Sequence, residues 1–190
     1  MYVSKIPKTI FSLVQPAVQA TAARLFVLTT GRAGSAKFQP TVSTFYETGL
    51  VTALYEQLLM SPILAGYEIR HEMPYHGQQG APKRVDLWMR PVDGGYPHLI
   101  EAGDYSKDKV HSDIAKMKSL NSTGANWFLA FFRGPVQATH PFETLHASIN
   151  RANGLNPALI EIDRRLATSF AVYRPDGNAD PFGAALIRAR

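Results

Sequence analysis

The run Trp127-Phe128-Leu129-Ala130-Phe131-Phe132 is apolar at every position. A strand with one face in water would carry a polar residue at every second place, so this run predicts a strand covered on both faces. Burying it requires packed layers above and below a sheet, and the segments around it provide them.

Upstream, residues 8–30 read as a helix kinked at Pro16, and Gly31 to Pro40 as a basic connector. Thr44 to Met60 carries Leu50, Val51, Leu54 and Leu58 at helical spacing and is stopped by Ser61-Pro62. Strands are expected over Tyr67 to Tyr75, Arg84 to Arg90 and Pro97 to Gly103. The loop His76 to Gly80 divides the first two, and the turn Asp93-Gly94-Gly95 divides the second and third. Ser106 is placed to cap a helix reaching Ser119, with Val110, Ile114 and Met117 as its apolar stripe. A helix over Pro141 to Ala152 and a strand over Ser169 to Arg174 complete an α/β chain with a mixed central sheet flanked by helices.

The 190 residues, 45% hydrophobic and 18% charged, suit one domain with its own core. Without cysteine there is no disulfide, thiolate zinc site or cysteine nucleophile, so a metal would be held by oxygen or imidazole. A net charge of +5 and a pI near 9.5 favour an acidic partner, nucleic acid first. The early apolar stretch from Ile10 to Thr30 is interrupted by Gln15, Pro16, Gln19 and Arg24. It is too polar for a membrane span or a secretory signal, so no membrane partner and a cytoplasmic location are expected.

Strand alternation in Arg84-Val85-Asp86-Leu87-Trp88-Met89 puts Val85, Leu87 and Met89 on one face and Asp86 on the other. The Gly-Gly turn pairs this strand with the one carrying Glu101, so a hairpin brings the two carboxylates side by side. Their repulsion calls for a cation or a proton, and Mg²⁺, which prefers oxygen ligands, suits the place. Glu47 lies two and three helical turns before Leu54 and Leu58, nearly in line with the core stripe, and needs a partner. Glu56, opposite that stripe, reads as a solvated charge.

The Glu47 helix, the Asp86 strand, the Glu101 strand and the helix containing Ser106-Lys107-Asp108-Lys109-Val110-His111 resemble the core of the PD-(D/E)XK, or restriction-endonuclease-like, nucleases over about residues 42–133. The resemblance implies a restriction-endonuclease-like core with an N-terminal helical extension over about residues 1–40 and a C-terminal helix and strand over about 134–190. It implies a hydrolase that cuts phosphodiester bonds, most readily of DNA, with Mg²⁺ or Mn²⁺ as cofactor; a homodimer is compatible with it. It assigns metal binding to Asp86, Glu101 and the carbonyl of Ala102, with Glu47 as a further ligand. In the family a lysine two positions after the glutamate assists the attacking water, and here that position holds Gly103.

Lys107, one turn before Val110, is the expected substitute for that lysine. Lys83, Arg84, Lys107, Lys109 and Lys116 are the candidates for holding phosphates. Plainer readings stand beside these. Thr44-Phe45-Tyr46-Glu47 fits a capping box, Asp86 could lie on a solvent face, and Lys107, Lys109, Lys116 and Lys118 could be a solvated helix face. His76 or His98 could act as a base. The alternative function is a catalytically lapsed nuclease fold that binds nucleic acid or a protein partner.

Overall fold

A computed structural model describes residues 6–30, 42–75, 83–104, 107–120, 125–133, 160–173 and 179–189. The elements are α1 (Ile6–Ser12), α2 (Val14–Thr30), α3 (Val42–Met60), a 3₁₀ turn (Pro62–Leu64), β1 (Tyr67–Tyr75), β2 (Lys83–Pro91), β3 (His98–Asp104), α4 (Lys107–Leu120), β4 (Ala125–Arg133), β5 (Ile160–Tyr173) and β6 (Ala179–Ala189). They form a mixed six-stranded sheet in the order β1-β2-β3-β4-β6-β5, flanked by helices. The expected helix over Pro141 to Ala152, the connector Gly31 to Pro40, the loop His76 to Gly80 and the Ser106 cap lie outside the described residues.

The N-terminal helix breaks at Leu13 rather than kinking at Pro16, with Leu13 N–H bonded to the Ile10 carbonyl and Ala17 N–H to the Leu13 carbonyl. Proline cannot donate a hydrogen bond, and its ring clashes with the carbonyl four residues back, here that of Ser12. The chain avoids that clash by ending α1 at Ser12 and restarting, which places Pro16 in the first turn of α2. Helix α3 begins at Val42, ahead of Thr44, so Thr44 and Glu47 lie inside the helix instead of forming a cap at its start.

Two apolar cores sandwich the sheet. On one side Ile10, Val14, Leu50, Leu54 and Leu58 of α1 to α3 pack on Leu87, Ile100, Leu129 and Leu186. On the other, Val110, Ile114 and Met117 of α4 pack on Leu99, Phe128 and Ile187. The apolar run lies in β4, whose Trp127, Leu129 and Phe131 face the first core while Phe128 and Ala130 face the second. At about 1.5–3 kcal/mol for each large apolar side chain withdrawn from water, these layers supply the main drive to fold.

Strand β3 pairs antiparallel with β2 and parallel with β4, and α4 is the crossover between β3 and β4. Antiparallel pairing of β1 with β2 and of β4, β6 and β5 completes the sheet. The Gly94 and Gly95 turn between β2 and β3 adopts φ of 94° and 143°, conformations that glycine reaches without strain. Strand β5 is longer than the Ser169 to Arg174 expectation, and β6 had no sequence signal. Glu161, Asp163, Arg164 and Arg165 mask the first half of β5, and Pro181, Gly183 and several alanines give β6 a weak strand propensity.

The β1–β2 ladder is interrupted at one place. Partners run His71 with Leu87 and then Met73 with Val85, skipping Glu72 and Asp86, and Glu72 has φ of 48°. Such backbone distortion is costly for a residue with a Cβ and kinks a strand pair. Beyond the kink the alternation changes: Leu87 and Met89 join the α1–α3 core as expected, but Val85 joins the α4 core.

A candidate metal-binding carboxylate pair and its lysines

The β2–β3 ladder ends at Leu87 with Ile100, so the next residues in line are Asp86 and Glu101. Here the strands stop pairing, and the Ala102 N–H donates to Asp86 Oδ2 at 2.8 Å instead of to a backbone carbonyl. The two carboxyl groups are close enough that the charge of Asp86 raises the pKa of Glu101. Two ionised carboxylates at this range repel, which favours a proton or a cation on the pair.

Burial sets the electrostatics. Glu101 is 3% exposed, and burial first, then the charge of Asp86, push its carboxyl up to about 8, against the opposing pull of Lys116. Burial also raises Asp86, while the Ala102 N–H and the charges of Lys116 and Lys109 hold the rise down. A buried pair of this kind is relieved by a proton or a metal ion.

Helix α4 brings the cations. The ammonium of Lys116 forms an ion pair with Glu101. Lys109 Nζ lies 3.0 Å from Glu47 Oε1 and 3.4 Å from Asp113 Oδ2. Helices α3 and α4 contribute to opposite cores, so the Lys109–Glu47 bond ties the two helical layers together. The partner that Glu47 needed is therefore Lys109, and Glu47 is not gathered into the Asp86–Glu101 pair. Among the described residues no group of three or more His, Asp or Glu converges as a metal cage. The chemistry available is that of two adjoining carboxylates, a donor set that suits Mg²⁺, which keeps several waters and takes one or two protein carboxylates.

Of the other candidates, Arg84 is exposed and pairs with Glu72 at 2.7 Å. Lys107 opens α4 and Lys83 opens β2, but their side chains lie outside the described residues, as does His76. His98 does not reach the pair: it is buried on the other face of β3 beside Tyr67, and burial lowers its pKa. Glu56 pairs at the surface with Arg24 at 2.8 Å.

The reading of Lys109 and Lys116 as a solvated face is corrected, because both turn towards carboxylates. Asp113 was missed, yet the sequence held a signal for it. Lys109, Asp113 and Lys116 repeat at the spacing of Val110, Ile114 and Met117, one position earlier, so they form a charged stripe beside the apolar one. No model of a known protein family matches the chain, and no curated protein or solved structure does so either.

Proposed function

We propose that the chain is a divalent-metal-dependent nuclease of PD-(D/E)XK type that hydrolyses phosphodiester bonds, with DNA as its substrate. The observation that carries this reading is the electrostatically coupled Asp86–Glu101 pair at the point where β2 and β3 stop pairing, faced by lysines of α4. Asp86 and Glu101 would hold the ion, which supplies an activated water and charge neutralisation at the phosphate. The Ala102 N–H orients Asp86, and the sheet and α4 shield Glu101 from water. The net charge of +5 supports an anionic substrate. The order helix, antiparallel strands, α4 and parallel strand agrees with a restriction-endonuclease-like core.

Incubating plasmid and single-stranded DNA with Mg²⁺ or Mn²⁺ tests the reading, with Asp86→Ala as the control. Cleavage is expected from the natural chain and not from the variant; equal cleavage by both would remove the pair from the chemistry. A second reading, a lapsed nuclease fold that only binds, is favoured by the engagement of Glu47 with Lys109 and by glycine at position 103. Stabilisation by Mn²⁺ without cleavage of any nucleic acid would select it.

A further inference from the structure

Among the described residues the exposed large apolar side chains are Leu59, Met60, Ile63, Val92 and Tyr96, each between 55% and 71% exposed. They come from two stretches of sequence that the fold brings to one end of the sheet. Leu59 and Met60 end α3, and Ile63 sits in the 3₁₀ turn that leads into β1. Val92 and Tyr96 lie in the turn between β2 and β3. The Val92 N–H donates to the Gly66 carbonyl at 3.0 Å, and Tyr67 pairs with Pro91, so this turn is held against the start of β1. Single apolar side chains scattered on a surface need no explanation, whereas a group gathered at one end does.

The surroundings of the group are poor in charge. From Leu59 to Tyr67 the sequence has no charged residue, and from Pro91 to Pro97 it has only Asp93. Depletion of charge around large apolar and aromatic side chains is the mark of an interface core. The group leaves on the order of 600 Å² of side-chain surface in water, the upper end of what the largest apolar patch of a monomer reaches. Exposed Pro62, Ala65 and Gly94 extend it towards the roughly 800 Å² per partner that a specific interface buries.

We propose that this end of the sheet joins a second copy of the chain about a two-fold axis. A two-fold contact sets one patch against itself, so apolar surface meets apolar surface and no second complementary patch is required. The border charges suit the same symmetry. Exposed Arg90 and Asp93 flank Val92 with opposite signs, and the axis can set each against the other's copy. The contact also has a direction. The β2–β3 ladder runs from Leu87 with Ile100 to Met89 with His98, so Pro91 and Tyr96 continue it at the end remote from Asp86 and Glu101. On each strand about 17 Å of chain separates the patch from the carboxylate pair, so two joined copies point their pairs outward, more than about 30 Å apart. The inference needs no part of the nuclease reading, and adds to it that each site would work alone.

Sedimentation velocity of the full chain, up to about 100 μM, reads the contact, because interfaces of this size dissociate at micromolar concentrations or below. The natural chain should pass from the 21.0 kDa monomer to twice that mass as concentration rises. Ile63→Glu and Tyr96→Glu each put a charge into the patch, and the symmetry puts it there twice. Each should raise the dissociation constant by about a hundredfold, tenfold for each copy. Both positions are exposed, so thermal melts should match that of the natural chain, and Gln15→Glu on exposed α2 surface should leave the dimer unchanged. Because the chain has no cysteine, single thiols mark the surface directly. A bis-maleimide, taking one thiol at each end, should link copies of Ile63→Cys and of Val92→Cys but not of Gln15→Cys.

A natural chain that stays monomeric at the highest concentration overturns the inference. A dimer that survives both glutamate variants, or that links equally well through Gln15→Cys, lies elsewhere on the molecule and overturns it too. Plasmid cleavage in Mg²⁺ checks the direction: Ile63→Glu should cut at the natural rate per chain, and cleavage lost together with the dimer would refute outward-pointing sites. If neither the natural chain nor the variant cleaves and Mn²⁺ stabilises neither, the nuclease reading falls while a dimer lost in the glutamate variants still upholds the contact.

Discussion

Replacing Glu101 by glutamine should stabilise the metal-free protein and do so increasingly as pH rises. Glu101 is buried, faces Asp86, and ionises only near pH 8 instead of its ordinary 4.5. Between these values the folded chain holds a proton that the unfolded chain has released, so stability falls as pH rises from about 4.5 to about 8 and levels off above. At ~1.36 kcal/mol per unit of pKa, the rise from 4.5 to about 8 corresponds to a loss on the order of 5 kcal/mol. Glutamine keeps the shape and can still donate to Asp86, but carries no charge. Urea unfolding of both proteins in EDTA at pH 5, 7 and 9 isolates Glu101 together with its coupling to Asp86 and Lys116, because titrating groups elsewhere cancel in the difference. The two should be nearly equal at pH 5, and Glu101→Gln should lead by several kcal/mol at pH 9. Added Mn²⁺ should reverse the order by stabilising the natural chain alone, through binding to the folded form. A difference between the proteins that does not change with pH would refute the coupling between burial, repulsion and protonation.

Leu54→Ala empties part of the core between α3 and the sheet, where Leu54 is fully buried, and should cost about 2–5 kcal/mol in chemical denaturation. Glu72→Asn places a residue that tolerates φ of 48° at the kink of β1. It should gain about 1 kcal/mol, since the lost ion pair with Arg84 is exposed and worth little; a loss above that size would show that the pair matters more than the strain. Lys116→Gln should tighten Mn²⁺ binding in calorimetry, more at pH 9 than at pH 6. A divalent ion feels the removed ammonium twice as strongly as the competing proton does, and unchanged affinity would place Lys116 away from the ion.

Period and turn chemistry made much of the fold readable. The wholly apolar Trp127 to Phe132 run needed a layer on each side, and helices cover both faces of β4. The Gly94-Gly95 turn paired the Asp86 and Glu101 strands, and strand alternation put the acids on adjacent positions. Elements stabilised mainly by their neighbours were less legible. Strand β6 consists largely of small residues whose burial between β4 and β5 depends on tertiary contact. The Glu72 kink sits in a sequence with no glycine to mark it, so the reversal at Val85 could not be read from alternation. Glycine at 103 reads in sequence as a loss, whereas in the fold the Lys109 stem occupies the space above it, a contact between β3 and α4 that sequence alone does not show.

The charge balance explains why such a site would depend on a cation. Among the described residues, ion pairs and charge coupling link Glu47, Asp86, Glu101 and Asp113 to Lys109 and Lys116, four acids against two bases. Fully ionised, the cluster is two charges short of neutral, and the deficit falls on the least exposed member, Glu101. One proton on the Asp86–Glu101 pair removes half of it, whereas one divalent ion removes all of it and releases that proton. Metal binding should therefore weaken as pH falls below about 8, the range in which Glu101 retains its proton. The end of the β2–β3 ladder and the kink at Glu72 meet at Asp86, which frees its carboxylate to accept from Ala102 and to face Glu101. The sheet thus gives up regular pairing at the place where it concentrates negative charge, and α4 returns only part of the compensation.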